Sequence, residues 1–188
     1  MTEPQYTSRA ALEAGLAHIL ASPKDAGRLE LIVARPQIDQ RLVLQSGHLD
    51  TREGLSGDNW KDRYSSLTPD HRPHPDDQVT LMNSRVIDLL ANDRERWQIA
   101  GDQLYVDLDL STENLPPGTQ LQVGEAVVVV TDLPHTGCSK FAARFGPEAL
   151  KFVNGAEHKR LRLRGINARV LRSGAIRPGD AIHKLPQA

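Results

Sequence analysis

Cys138 is the only cysteine in the chain, and its surroundings are those of a working thiol. The segment Thr131-Asp132-Leu133-Pro134-His135-Thr136-Gly137-Cys138-Ser139-Lys140-Phe141-Ala142-Ala143-Arg144-Phe145-Gly146 crosses a loop carrying Pro134 and Gly137, then takes on helical spacing. Phe141 and Phe145 are four apart and share one face; Lys140 and Arg144 share another. This spacing predicts a helix that begins at Cys138, where unpaired amides and the positive end of the dipole favour thiolate. At a reference pKa of about 8.5 a thiol is only ~3% ionised at pH 7, and a drop of one unit, about 1.4 kcal/mol, raises that to roughly a quarter. The competing reading is a buried, inert cysteine. The small and polar neighbours Thr136, Gly137 and Ser139 argue for the functional one. His135, with an unperturbed pKa near neutrality, is a candidate proton donor beside it.

Other clusters carry less. His71-Arg72-Pro73-His74-Pro75-Asp76-Asp77 offers two imidazoles and two carboxylates for a divalent ion, or simply the polarity of a solvated loop. Arg160, Arg162 and Arg164 alternate with Leu161 and Leu163, which predicts a strand whose arginine face receives a phosphate or looks into solvent. Gly54-Leu55-Ser56-Gly57-Asp58-Asn59-Trp60 reads as a tight loop able to approach a ligand closely.

The elements that must position these residues are mostly β. Leu12, Leu16, Ile19 and Leu20 mark one face of a helix over 8–21, ended by Ser22-Pro23. Leu29, Leu31 and Val33 begin a strand, and a turn at 36–39 leads into Arg41–Leu44. Residues 46–78 are polar and aperiodic, so they are expected to be disordered or functional. Val79 and Leu81 precede the N-cap types Asn83-Ser84 and a helical stripe at Val86, Leu89 and Leu90. Leu104–Leu110 alternates as a half-buried strand. Leu121 and Val123 join Ala126–Thr131 through a Gly124-Glu125 hairpin, and the second strand, apolar on both faces, belongs at a central position. The phase switch after Gly165 predicts a bulge near Gly165-Ile166. Pro178-Gly179-Asp180-Ala181-Ile182 repeats the turn-to-strand pattern of Pro117-Gly118-Thr119-Gln120-Leu121. Together these predict a mainly β, β-rich α+β fold: a small barrel with a few peripheral helices, divided into a helical extension over 1–28 and a barrel over 29–188.

Composition sets outer bounds. In 188 residues, 23 Lys and Arg balance 24 Asp and Glu, and there are three Phe, two Trp and three Tyr. That argues against a nucleic-acid binder. One cysteine excludes an intrachain disulfide and a CxxC motif. The longest aliphatic run, Ala126 to Val130, is far short of the ~20 residues that span a bilayer, and MTEPQYTSRA lacks the features of a signal peptide. A reduced, cytoplasmic protein is the expectation.

In combination the segments resemble the MOSC family, named for the C-terminal domain of molybdenum cofactor sulfurases. The resemblance rests on Gly54-Leu55-Ser56-Gly57-Asp58, Gln78–Asn83 before a helix, Gly101-Asp102-Gln103-Leu104, Leu108-Asp109-Leu110-Ser111 and Leu115-Pro116-Pro117-Gly118. The most specific piece is Gly137-Cys138-Ser139-Lys140-Phe141 with Arg144-Phe145-Gly146. Leu161–Val170 and Gly174–Asp180 complete it. This chain has Asn59-Trp60 where many members have Arg-His, and Gly137 where several have Pro before the cysteine.

The resemblance implies a barrel of the MOSC, pyruvate-kinase type and an essential cysteine. In members that carry the molybdenum–pterin cofactor, the cysteine ligates the metal, which places Cys138 as ligand. Lys140, Arg144, Arg162 and Arg164 are then candidates for the pterin phosphate. Gly137, Ser139, Asp58, Asn59 and Asn167 complete the expected cofactor surface. Members that reduce N-hydroxylated substrates would draw electrons from a separate reductase; others are proposed to carry a persulfide on the cysteine, which implies a cysteine desulfurase as partner. Pyridoxal phosphate binding is also associated with the family. A third reading is a non-catalytic module that binds a pterin or another small anion.

Overall fold

The computed structural model describes residues 6–186; residues 1–5, at the start of the expected helical extension, lie outside them. Seven strands close a mixed barrel. In spatial order these are β1 (Gly27–Ala34), β6 (Leu104–Asp107), β5 (Val79–Asn83), β9 (Ile166–Arg172), β8 (Ala126–Val130), β7 (Gln120–Val123) and β11 (Ala181–Lys184), which returns to β1; the short β2 (Leu42–Leu44) pairs with β1 outside the closed barrel. Only the β5–β6 pair is parallel. The apolar run of β8 does sit between two neighbours, β7 and β9. The two Pro-Gly turns feed β7 and β11, which pair with one another; Gly118 and Gly179 adopt φ of +90° and +98° there, a conformation glycine tolerates.

Alternation along each strand produces two cores. Leu29, Ile32, Leu81, Leu104, Val106, Val128, Ile166 and Ile182 fill the barrel. Val33, Met82 and Tyr105 point the other way, into a second core shared with the helices. The register of β1 on β6 shifts between Leu29 and Leu31, so Ile32 rather than Leu31 enters the barrel.

Helix α1 (Arg9–Leu20) is capped by Ser8 and buries Leu12 and Ile19, but Leu20 is 56% exposed, outside the stripe expected for it. Helix α2 (Ser84–Ala91) begins at Asn83, whose Oδ1 accepts from the Arg85 amide while its Nδ2 donates to Ser22 and to the Leu108 carbonyl. Helices α3 (Ser139–Phe145) and α4 (Pro147–Asn154) complete the flank, which Phe141, Phe145 and Phe152 anchor. Full burial of each such side chain contributes about 1.5–3 kcal/mol.

Two expectations fail, the arginine strand and the bulge at Gly165. Residues 46–78, read as disordered or functional, are ordered. They include β3 (Gly47–Asp50) and β4 (Gly54–Leu55), which form a small sheet with β10 (Gly174–Ile176), and Leu49 and Leu55 are fully buried. Apolar residues spaced six apart across a bend carry no period, which hid them. The arginine strand does not exist. Residues Ala156–Leu161 form a 3-10 helix, and Arg162 then turns in the left-handed region at φ +50°. Leu161 and Leu163 do face inward, but into the helical core, so a tight turn satisfies the same Leu-Arg alternation. Gly165 is the entry to β9, not a bulge. At φ +114°, a Cβ there would lie 2.3 Å from the Leu81 carbonyl oxygen. The irregularity falls instead between Val127 and Val128, leaving Leu171 as the extra residue on β9.

No helix among the described residues is long and apolar enough to cross a membrane.

Candidate functional site

The loops at one end of the parallel β5–β6 pair converge on three successive carbonyls. Arg144 donates to Ile99, Arg164 to Ala100 and Arg35 to Gly101, at 3.0, 3.2 and 2.9 Å. These acceptors end the 3-10 helix Arg94–Ala100, where unpaired carbonyls carry partial negative charge. One backbone segment thus gathers guanidinium groups from the end of β1, from α3 and from the turn before β9.

Two of these arginines are neutralised in place. Arg35 is buried and binds Asp58 through two parallel bonds of 2.8 and 2.9 Å, and Asp58 also accepts from the Arg35 and Trp60 amides. Arg164 meets Asp102 at 2.6 Å, and the second oxygen of Asp102 lies 2.8 Å from His135 Nε2. Burial works against the Asp102 carboxylate, but Arg164 and then His135 outweigh it and hold its pKa well below the ordinary range. His135 is lowered in turn, first by desolvation and then by Arg164, so at neutral pH the ring is uncharged and its Nε2–H donates to Asp102.

Cys138 is exposed and N-caps α3. Its sulfur makes no capping hydrogen bond. Partial burial pushes its pKa up, yet the nearby Phe141 and Lys140 amides, then Arg164 and Arg144, bring it below the ordinary thiol value. Cys138 is therefore not the buried cysteine of the competing reading. Gly137 is fixed from both sides by Asn154, which accepts from its amide at 2.9 Å and donates to its carbonyl at 3.0 Å. A Cβ at Gly137 would lie 2.7 Å from Leu150 Cδ1, so a larger residue there would require that leucine of α4 to shift.

On the cysteine side, Lys140 and Arg144 share one carboxylate, Asp39, at 3.6 and 3.0 Å. Arg41 lies close by, its Nε buried without a hydrogen-bond partner. Its pKa is lowered by burial and then by the like charges of Arg144 and Arg35. Arg63 keeps solvent contact but is pushed down to about 10 by desolvation and Arg35. Neither Arg41 nor Arg63 forms a salt bridge among the described residues.

The expected site residues divide into two groups. Cys138, Ser139, Lys140 and Arg144 lie together on the cysteine face. Asp58 stands behind them as the partner of Arg35, and Asn59 accepts from Arg63 Nε at 3.0 Å. Arg162 and Asn167 instead line a cavity that also takes in His135 and Arg164 but not Cys138. His71 and His74 do not gather for a metal: His71 stacks on Tyr64, and His74 Nδ1 accepts from the Asp76 amide. Arg35, Arg41, Asp102 and Asn154 were not singled out from sequence. Asp102 stands within a quoted motif, but its partners lie far along the chain.

The depressed His135 pKa has a signed consequence for stability. The unfolded chain takes up a proton near pH 6.5 that the native ring resists. The contribution of His135 to stability is thus full above that pH and is lost as the solution is acidified below it. In denaturant titrations at pH 7.5 and 5.0, His135→Gln is expected to lose less stability on acidification than the wild type. An equal loss in both would show that His135 is not the source.

Among curated proteins, none matches this chain. Solved structures resemble it in fold. The YuaD protein from Bacillus subtilis is 18% identical with TM-score 0.56, covering 86% of this chain and 97% of its own. YiiM from Escherichia coli is 17% identical with TM-score 0.54, covering 86% and 71%. YiiM from Geobacillus stearothermophilus is 16% identical with TM-score 0.56, covering 85% and 75%. A family model, that of the MOSC domain, matches residues 68–183, well over half of the chain and inclusive of Cys138. By that match, and by a barrel closed as described, the chain belongs to the MOSC domain family.

Proposed function

We propose that Cys138 is the thiolate ligand of a molybdenum–pterin cofactor and that the protein reduces N-hydroxylated small molecules with electrons from a separate reductase. The observation that carries this reading is an exposed thiol with a lowered pKa beside under-neutralised cations. Thiolate is a soft ligand that suits such a metal. Arg41 has a buried donor without an acceptor and is crowded by like charge, a state that an anionic phosphate relieves. The residues present therefore fit the group.

Bound there, the cofactor would supply two-electron redox chemistry, with the N–O bond cleaved to amine and water on uptake of two electrons and two protons. The chain's own residues bind and orient. Asn154 holds the Gly137 peptide and so sets the direction of the Cys138 side chain. Asp102 fixes the position of Arg164, whose guanidinium favours the thiolate. Arg41, Lys140 and Arg144 supply cationic donors, and Asp39 restrains two of them until an anion competes.

Molybdenum content of protein from a molybdenum-replete host tests the proposal. The wild type is expected to retain the metal and Cys138→Ala to lose nearly all of it. Equal, near-zero content in both would overturn it. The same thiolate could instead hold a persulfide received from a cysteine desulfurase; an added sulfur on Cys138 in intact-mass spectra, with no molybdenum, would favour that second reading.

A further inference from the structure

Outside the cysteine site, where α1 meets the 3-10 helix Ala156–Leu161, three side chains able to ligate a metal come together: Glu13, Glu157 and His158. Each offers one ligand atom, and these atoms lie within 4.8 Å of one another.

His158 is the fixed member. Its side chain is only 6% exposed, its ring packs against Phe152, and Nδ1 lies 2.9 Å from the Phe152 carbonyl oxygen. A carbonyl oxygen only accepts, so in the neutral ring Nδ1 carries the proton and Nε2 an unshared pair. Nε2 faces Glu13 Oε2 at 3.8 Å, too far for a hydrogen bond, and has no hydrogen-bond partner among the described residues. Two acceptors that face one another require a cation between them. Buried polar groups are ordinarily satisfied, and an ion accounts for some of the exceptions. A ring held through Nδ1 by a main-chain carbonyl, with Nε2 free, is also how metal-bound histidines are oriented.

The two glutamates are the adjustable members. Arg9 donates through Nη2 to Glu157 Oε1 at 3.0 Å and pairs with Glu13 Oε1 one turn along α1. One guanidinium thus serves two carboxylates, which leaves one negative charge without a full partner and Glu13 Oε2 turned to the imidazole. The Glu157 carboxyl is held below the ordinary carboxylate range, first by its own amide and then by Arg9. Both carboxylates are partly exposed, at 41% and 56%. Small rotations of either can therefore reach the ~3.4 Å that separates ligands around a tetrahedral ion with bonds of about 2.1 Å.

The geometry points to a zinc site, with His158 Nε2 and one oxygen each of Glu13 and Glu157 as protein ligands, water in the fourth position, and Arg9 orienting the two carboxylates from outside. Imidazole with carboxylates suits zinc, whereas magnesium and calcium prefer oxygen ligands alone. The ion would clamp α1 to the segment that follows α4, and so act on the helical flank rather than on the thiol.

Titration calorimetry with zinc chloride on tag-free, chelator-treated Cys138→Ser protein tests this. Loss of the thiol removes a competing zinc ligand and makes the outcome independent of the cofactor proposal. One equivalent of zinc is expected to bind and to raise the thermal midpoint, and magnesium at the same concentration to do neither. Adding Glu157→Gln, a change at an exposed carboxylate, is expected to leave the fold intact and to weaken zinc binding roughly tenfold or more. Adding His158→Asn, which keeps an N–H for the Phe152 carbonyl, is expected to weaken it as much and to abolish the zinc-dependent rise in midpoint. Absence of zinc binding, or binding that Glu157→Gln leaves unchanged, would overturn the inference and leave a protonated His158 paired with Glu13 as the reason these residues meet.

Discussion

Asp102→Ala is expected to destabilise the protein by about 3–5 kcal/mol, because removing one member of a buried ion pair strands the other. Arg164 would keep its Ala100 bond, yet its charge, 8% exposed at the side chain, would lose its only carboxylate among the described residues. The His135 Nε2 would lose its partner in the same step. For a chain of this length that corresponds to a fall in the thermal midpoint on the order of 10 °C. Asp102→Asn keeps an acceptor for one of the two donors and should lose less. A midpoint within about 1 °C of wild type for the alanine variant would mean that Arg164 finds another counter-charge. The thiol should respond as well, in the opposite direction from simple loss of fold. With Arg164 uncompensated, Cys138 is expected to react faster with iodoacetamide near pH 7 in the molecules that remain folded.

Asp58→Ala is expected to cost a similar amount, about 3–5 kcal/mol. Its two oxygens receive four bonds, two from the Arg35 side chain and one each from the Arg35 and Trp60 amides. Loss of the carboxylate leaves a buried guanidinium with one remaining acceptor, the Gly101 carbonyl, and two amides without partners. The exposed pair Lys61–Glu53, nearly as short at 2.9 Å, makes the control. Glu53→Ala should change stability by less than about 1 kcal/mol, since solvent already screens that charge. Equal effects at Asp58 and Glu53 in denaturant titrations would refute the argument from burial.

These buried pairs explain why part of the site was hidden in the sequence. The helix beginning at Cys138, the β8 run apolar on both faces and the Asn83 cap are local: a few adjacent residues determine each of them. Cys138 and Lys140 could therefore be placed together from spacing alone. Arg35 and Asp58 are 23 positions apart, His135 and Asp102 33, and Arg164 and Asp102 62. No periodicity links such residues, because what pairs them is the meeting of loops at one end of the barrel. The Gly57-Asp58 motif was recognised, but its carboxylate turns inward to hold Arg35 instead of facing outward. The arginines at 160–164 failed for a different reason. Leu-Arg alternation is as compatible with a 3-10 turn as with a strand, and the deciding feature is the left-handed backbone at Arg162. That turn sends Arg162 and Arg164 to one cavity, while Lys140 and Arg144 stay on the cysteine face.

The three guanidinium groups that meet at residues 99–101 are held by main-chain oxygens, and these are present whatever the side chains there may be. Copying the arginines, the cysteine and the histidine onto another scaffold would therefore transplant the reactive groups without the clasp that aims them. A portable version of this site would have to carry the path of the peptide through Ile99–Gly101 as well, with glycine at its last position, where φ is +95°.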